Sequence, residues 1–224
     1  MLEHAAAQQA PPVLRVLIGD DHRIVREGIK QILAEAPQVQ VVAEAATGPE
    51  VLVQVALLQA GAGLDLVLLD IALPGMDGLD VLQQLQRDWP RLPVLMLSTY
   101  PEKQYAVRCI RLGASGYLNK SADPDDMLAA VHKVAAGGVY LTPGAAEALA
   151  QAVGREGKTG AQALSHREHQ VYRLLTQGHS VSDIGAQLGL AANTVSTYRA
   201  RILEKTGTKN DVELALYAER HPNA

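Results

Sequence analysis

Residues 64–70 read Leu-Asp-Leu-Val-Leu-Leu-Asp, an almost unbroken apolar run that stops on a carboxylate. A short run of this kind predicts a strand buried on both faces, as in a parallel sheet covered by helices. The residues that follow, Ile71-Ala72-Leu73-Pro74-Gly75-Met76-Asp77-Gly78, cannot prolong it, because Pro and Gly break the pattern. In an open α/β sheet the crevice at the carboxyl ends of the strands is where ligands sit. Asp70 is therefore placed where a reactive group belongs.

The flanking sequence repeats the same arrangement. Strands are predicted at residues 13–19, 39–45, 64–70, 94–97 and 115–118. Helices are predicted at 23–35, 49–59, 78–87, 102–112 and 125–136, from 3.6-residue apolar spacing and from Gly and Pro at their ends. Five strand-helix units joined by right-handed crossovers make a five-stranded parallel, doubly wound (βα)5 domain of the α/β class. The residues after the strands matter most: Asp20 and Asp21 after the first, Asp70 after the third, Ser98 and Thr99 after the fourth, Lys120 after the fifth. The topology sends all of them to one edge of the sheet. His22 and Arg23 are expected to open the first helix rather than join the chemistry.

Beyond Gly137-Gly138 the pattern changes. Residues 138–163 read as a linker containing a helix at about 143–153, followed by a Gly- and charge-rich tether at 154–160. From 164 to 224 every signal is helical. Ser165 with Glu168 forms a capping box, Ser180-Val181-Ser182-Asp183 opens a second helix, Asn193 is placed to cap a third, and Asn210 with Glu213 starts a fourth. Two helices around a tight Gly-containing turn form a helix-turn-helix. The balance of charge follows the same division: residues 1–137 carry 11 Lys and Arg against 16 Asp and Glu, whereas 160–224 carry 7 against 6 and four histidines. An acidic front and a mildly basic back imply two domains with different partners.

Residues 1–12 lack a basic cluster before an apolar core, and no run approaches the roughly 18 apolar residues of a membrane span. They are expected to form a frayed leader on a cytoplasmic protein without membrane contact. Cys109 is the only cysteine, which excludes an intrachain disulfide and fits a reducing compartment.

Carboxylates crowded at one sheet edge repel one another unless a cation is present, and a hard divalent ion such as Mg²⁺ suits oxygen donors. Asp70 can then attack phosphorus to give an aspartyl phosphate, with Lys120 as a point charge and Ser98 or Thr99 donating to a phosphoryl oxygen.

Residues 14–137 resemble a response-regulator receiver domain, through Asp20-Asp21, Asp70 with Pro74 and Gly78 beyond it, Ser98, and Gly116-Tyr117-Leu118-Asn119-Lys120. The resemblance implies phosphorylation of Asp70 by a sensor histidine kinase. It further implies Mg²⁺ held by Asp21, Asp70 and the Ala72 backbone carbonyl, with Asp20 acting through a water. Tyr117 would be the aromatic that turns inward when Ser98 is recruited. Two departures stand out: Ser replaces the commoner Thr at 98, and the stretch between Asp21 and Asp70 is a few residues longer than the family's, around 59–63, which should only enlarge a loop.

Residues 164–221 resemble the LuxR-type helix-turn-helix domain of NarL/FixJ regulators, through Leu164-Ser165, Arg167-Glu168, Val171, Leu174-Leu175, Gly178, Ile184, Leu188, Thr194-Val195, Arg201-Ile202-Leu203 and Lys205. In such units the later helix reads the major groove, which points to Asn193, Thr194, Ser196, Thr197, Tyr198, Arg199, Arg201 and Lys205. Ser196 and Tyr198 stand where many relatives carry Lys and His, which lowers the expected number of phosphate contacts. The resemblance implies double-stranded DNA with two half-sites as partner and a homodimer at least when phosphorylated.

Two other readings differ in class. Haloacid-dehalogenase-type phosphotransferases also use a strand-end Asp nucleophile, but they need an acid two residues later, where this chain has Ala72; an enzyme is therefore not expected. A receiver fold controlled by protein contact, with constitutive DNA binding, is the alternative regulator.

Overall fold

The computed structural model describes residues 13–100, 102–153, 164 and 166–221; the leader, the tether and Ser165 with its capping box lie outside them. The chain divides into two compact units, residues 1–150 and 151–224.

In the first unit the elements alternate as β1 (Leu14–Gly19), α1 (Arg23–Ala34), β2 (Val39–Ala45), α2 (Gly48–Ala60), β3 (Leu66–Asp70), α3 (Gly78–Asp88), β4 (Val94–Ser98), α4 (Glu102–Arg111), β5 (Gly116–Asn119) and α5 (Pro124–Ala135). All strand pairs are parallel and the order is β2-β1-β3-β4-β5. Alternate side chains of each strand point to opposite faces. Val67 and Leu69 therefore pack with Val51, Val55, Leu82, Leu85 and Met96 in one layer. Leu66 and Leu68 join Ile29, Leu33, Met127 and Val131 in the other. This double cover explains why the run before Asp70 shows no polar alternation.

Strand order reverses between β1 and β3, which opens the crevice beyond their carboxyl ends. The turns there are locally fixed. Asp77 caps α3 by accepting from the Leu79 N–H at 2.8 Å. Gly78, the first residue of α3, lies so close to β3 that a Cβ would fall 1.9 Å from the Asp70 carbonyl oxygen, so only glycine lets the helix begin at that point.

Residues 138–150, read from the sequence as the start of a linker, fall within this unit. Tyr140 makes a parallel bridge to β5: its N–H donates to the Ser115 carbonyl at 2.9 Å. Thr142 donates its hydroxyl hydrogen bond to the Glu102 carboxylate. Helix α6 (Pro143–Val153) begins there, with Ala145 buried in the same layer as Cys109 and Tyr117.

The second unit contains α7 (His166–Thr176), α8 (Val181–Leu188), α9 (Ala192–Thr206) and α10 (Asp211–Arg220) around Val171, Leu175, Ile184, Val195, Ile202 and Leu214. Ser180 and Asp183 close a reciprocal capping box on α8. The turn after α8 is tight. Gly189 adopts φ +64°, and the Leu190 N–H returns to the Gly185 carbonyl at 2.8 Å. As a result α9 starts at Ala192, with Ala191 at the cap position and no side-chain cap. The expected cap, Asn193, instead lies inside the first turn, because the Thr194 and Val195 N–H groups already bond to the Ala191 carbonyl.

Candidate functional site

The carboxyl ends of β1, β3, β4 and β5 bring Asp20, Asp70, Ser98 and Lys120 together with little exposure to solvent. Asp20 and Ser98 are 0% exposed and Asp70 is 2% exposed. Lys120 Nζ lies 2.6 Å from Asp20 Oδ2 and 2.7 Å from Asp70 Oδ2, so one ammonium bridges the two buried carboxylates. Burial is the largest influence on Asp70 and raises its pKa; the Lys120 bond opposes this, and the Asp20 charge adds to it. Desolvation also works against a charged Lys120, but its bonds to Asp20 and Asp70 prevail and raise its pKa, keeping it protonated. Carboxylate repulsion, the expectation from sequence, is thus the smaller effect here; dehydration dominates.

Asp21 is exposed beside the pair. One ligand atom from each of Asp20, Asp21, His22 and Asp70 lies within 4.8 Å of the others. His22 stands at the cap position of α1, as expected, but its ring also reaches the carboxylates. Nδ1 is 2.7 Å from Asp21 Oδ1 and 3.4 Å from Asp20 Oδ1. Sequence spacing places His22 at a helix start; the side-chain rotamer that turns its ring to the acids leaves no trace in the spacing. The Ala72 N–H donates to Asp70 Oδ1 at 3.3 Å.

Ser98 and Thr99 separate in environment: Ser98 is sealed, its Oγ accepting from the Tyr100 N–H at 3.0 Å, while Thr99 is exposed. Tyr117 is fully buried and donates its hydroxyl to the Tyr100 carbonyl at 2.8 Å. Burial raises its pKa, partly offset by a side-chain hydrogen bond with Ser98. The inward orientation of Tyr117 is thus already adopted here. Cys109, packed in the same layer, has its thiol pushed up to about 12, chiefly by burial, which favours the thiol over the thiolate.

On α9 the named residues fall into two groups. Asn193, Thr194, Ser196, Thr197 and Arg201 are exposed, and Val195 and Ile202 face the core. Tyr198 packs against that core, and Arg199 Nε donates to Asp211 Oδ1 at 2.8 Å. Lys205, expected among the DNA contacts, is also paired within the unit. Its ammonium donates to Glu168 Oε2 at 2.6 Å, and Glu168 is 2% exposed. A buried carboxylate gains from a cation beside it, so this pair supports the fold while the Lys205 side chain stays exposed. Its partner lies 37 residues upstream, beyond the reach of local pattern.

Comparison with known proteins agrees with both halves of this description. Residues 16–132 match the response regulator receiver domain family, and residues 162–218 match the bacterial regulatory proteins of the luxR family. The chain is 41% identical over 203 residues to the transcriptional regulatory protein UhpA of Escherichia coli strain K12, covering 91% of this chain and 96% of UhpA. It is 36% identical over 211 residues to the response regulator GacA of Pseudomonas aeruginosa, covering 93% and 97%. Among solved structures, RcsB of Salmonella typhimurium shares the fold with a TM-score of 0.56 at 24% identity, covering 94% of this chain and 100% of RcsB. The chain belongs to the NarL/FixJ family of response regulators, transcriptional regulators that join a receiver domain to a LuxR-type DNA-binding domain.

Proposed function

We propose that Asp70 accepts a phosphoryl group from a sensor histidine kinase in a Mg²⁺-dependent reaction, and that this modification controls binding of a homodimer to paired half-sites on double-stranded DNA in the cytoplasm. The observation that carries this reading is the Lys120 ammonium shared by Asp20 and Asp70, with Asp21 beside them. The donor set suits a hard cation: Asp20, Asp21 and Asp70 offer carboxylate oxygens, and the Ala72 carbonyl would complete the ligands. A divalent ion held there supplies positive charge against the carboxylates and the entering phosphoryl oxygens.

Asp70 attacks phosphorus through a carboxylate oxygen. The bond from phosphorus to the kinase imidazole nitrogen breaks, and its electron pair stays on that nitrogen. Lys120 then moves its hydrogen bond from Asp70 to a phosphoryl oxygen, and the Ser98 hydroxyl donates to another. The new group carries roughly −1.5 to −2 charge at neutral pH. Ser98, Tyr100 and Tyr117 form one hydrogen-bonded set, so recruiting Ser98 shifts a packed aromatic cluster between two arrangements. In the second unit, the exposed row Asn193, Thr194, Ser196, Thr197 and Arg201 faces base edges and phosphates. The uncapped first turn of α9 offers N–H groups to a backbone phosphate. No helix among the described residues is long and apolar enough to cross a membrane.

Intact mass after incubation with Mg²⁺ and acetyl phosphate tests the proposal. One phosphoryl group is expected on the wild type and none on Asp70→Ala, with phosphate-dependent DNA affinity lost in Asp70→Asn. An adduct retained on Asp70→Ala, or DNA binding that responds equally in both proteins, would overturn it in favour of a receiver controlled by protein contact.

A further inference from the structure

Arg26 takes no part in the chemistry above, yet its guanidinium grips the peptide that joins the two leading carboxylates. Nη1 donates to the Asp20 carbonyl oxygen at 2.7 Å, and Nε donates to Glu44 Oε2 at 2.9 Å. The side chain is only 15% exposed. Glu44 stands on the edge strand β2 and also accepts from Lys30 at 2.7 Å. Its carboxyl is held below the usual range by the Lys30 hydrogen bond first, with Arg26 assisting against some desolvation, so the anchor stays ionised at neutral pH. The other bonds of this turn restrain different atoms: the Asp20 N–H bonds to the Ala45 carbonyl at 3.0 Å, and the His22 N–H bonds to Asp20 Oδ1 at 2.8 Å.

The side chains of Asp20 and Asp21 leave the backbone on either side of the carbonyl that Arg26 holds. Rotating that peptide moves one carboxylate relative to the other. We propose that Arg26 is a positioning residue, whose two-pronged link from Glu44 to the Asp20 carbonyl sets the separation of Asp20 and Asp21 for a divalent cation. This inference rests on the reading of the Asp70 pocket as a Mg²⁺-dependent phosphoacceptor site.

The sign of the effect separates positioning from simple charge. A guanidinium near a cation site repels the cation, so deleting it should tighten metal binding if charge alone matters. A residue that orients ligands from behind does the opposite, and its loss weakens binding by about tenfold or more. The measurement is Mg²⁺ affinity by calorimetry on the full chain, with the rate of phosphorylation by acetyl phosphate followed across Mg²⁺ concentration.

Arg26→Gln is expected to raise the Mg²⁺ Kd about tenfold while the rate at saturating Mg²⁺ returns close to wild type. Arg26→Lys keeps the charge but not the fork, and is expected to weaken binding as well. Lys30→Gln removes an equal charge from the same Glu44 without touching Asp20, and should leave the Kd unchanged or slightly lower. Should Arg26→Gln not fold, Arg26→Lys and Glu44→Gln decide, both with raised Kd if Arg26 positions the acids. Mg²⁺ binding by the Arg26 variants as tight as wild type, or tighter, overturns the inference and leaves the phosphoacceptor reading intact. A wild type that neither binds Mg²⁺ nor takes up phosphoryl overturns that reading itself.

Discussion

The two units handle charge in opposite ways. In the receiver unit the groups assigned to chemistry are buried and paired: Asp20, Asp70 and Ser98 are sealed, and a single ammonium bridges the two acids. In the helical unit Asn193, Thr194, Ser196, Thr197 and Arg201 lie in water, and the sealed acid, Glu168, is met by the ammonium of a Lys205 that itself stays exposed. A site that makes and breaks a covalent bond gains from a dry, preset environment, because charges act strongly there. A surface that reads a polyanion gains from exposed, mobile cations and donors that release counterions on contact. Burial of a charge therefore carries opposite meanings in the two halves of this chain.

The largest effect that tests this contrast is at the glycines. Gly78→Ala would drive a Cβ against the Asp70 carbonyl and is expected to destabilise the receiver unit by about 3 kcal/mol or more. Gly185→Ala, where the nearest atom is the Leu190 carbonyl at 2.7 Å, should cost the helical unit about 1–2 kcal/mol. Urea unfolding of each variant gives both numbers, and equal losses would mean the two turns are equally tight.

Next comes Lys120→Ala, which leaves Asp20 and Asp70 facing each other without a cation. A loss of about 2–3 kcal/mol is expected, below that of a fully sealed pair because the pocket must admit a phosphodonor. The sign with pH follows from linkage. Burial already raises the Asp70 pKa and Lys120 opposes it. Without Lys120 the folded Asp70 titrates further above its unfolded value of about 3.9, so the loss is absent below that pH and grows as pH rises through the folded pKa. A loss that shrinks on raising pH would contradict a carboxylate origin.

Lys205→Met is expected to destabilise the helical unit by about 1–2 kcal/mol, with partial relief from adding Glu168→Gln. Its folded fraction should keep the wild-type salt dependence of DNA binding; a shallower slope at unchanged stability would return Lys205 to the DNA surface. The smallest effect on stability belongs to Arg201→Ala, within about 0.5 kcal/mol of wild type. Its log–log salt slope should nonetheless fall by about 0.9. An unchanged slope would take Arg201 off the phosphate backbone.

The fold was largely legible because its signals are local. Five apolar runs punctuated by Gly, Pro and carboxylates coincide with the observed strands, with ends differing by one or two residues, as at β1 and β3. The strand-end residues were legible for the same reason, since topology alone brings strand ends together. What escaped depends on partners distant in sequence or on rotamers. Lys205 pairs with a carboxylate 37 positions away, and Arg26 reaches a main-chain carbonyl. Asn193 missed its cap position because α9 already begins at Ala192, where the turn closes on backbone bonds that need no polar side chain. Tyr140, which reads as linker, bonds to β5 through its backbone, and a main-chain contact leaves no mark in side-chain pattern.

That backbone contact also covers part of an open sheet edge. An open sheet ends in two strands whose outer N–H and C=O groups invite pairing with another chain. At β5 the Ser115 carbonyl and the Tyr117 N–H are already engaged by Tyr140, and the strand is only four residues long. At the opposite end β2 is guarded differently, by Glu44 with Arg26 and Lys30 gathered on it. One margin is engaged in part by the chain's own backbone and the other carries a cluster of charge, two different devices that each make strand addition less favourable.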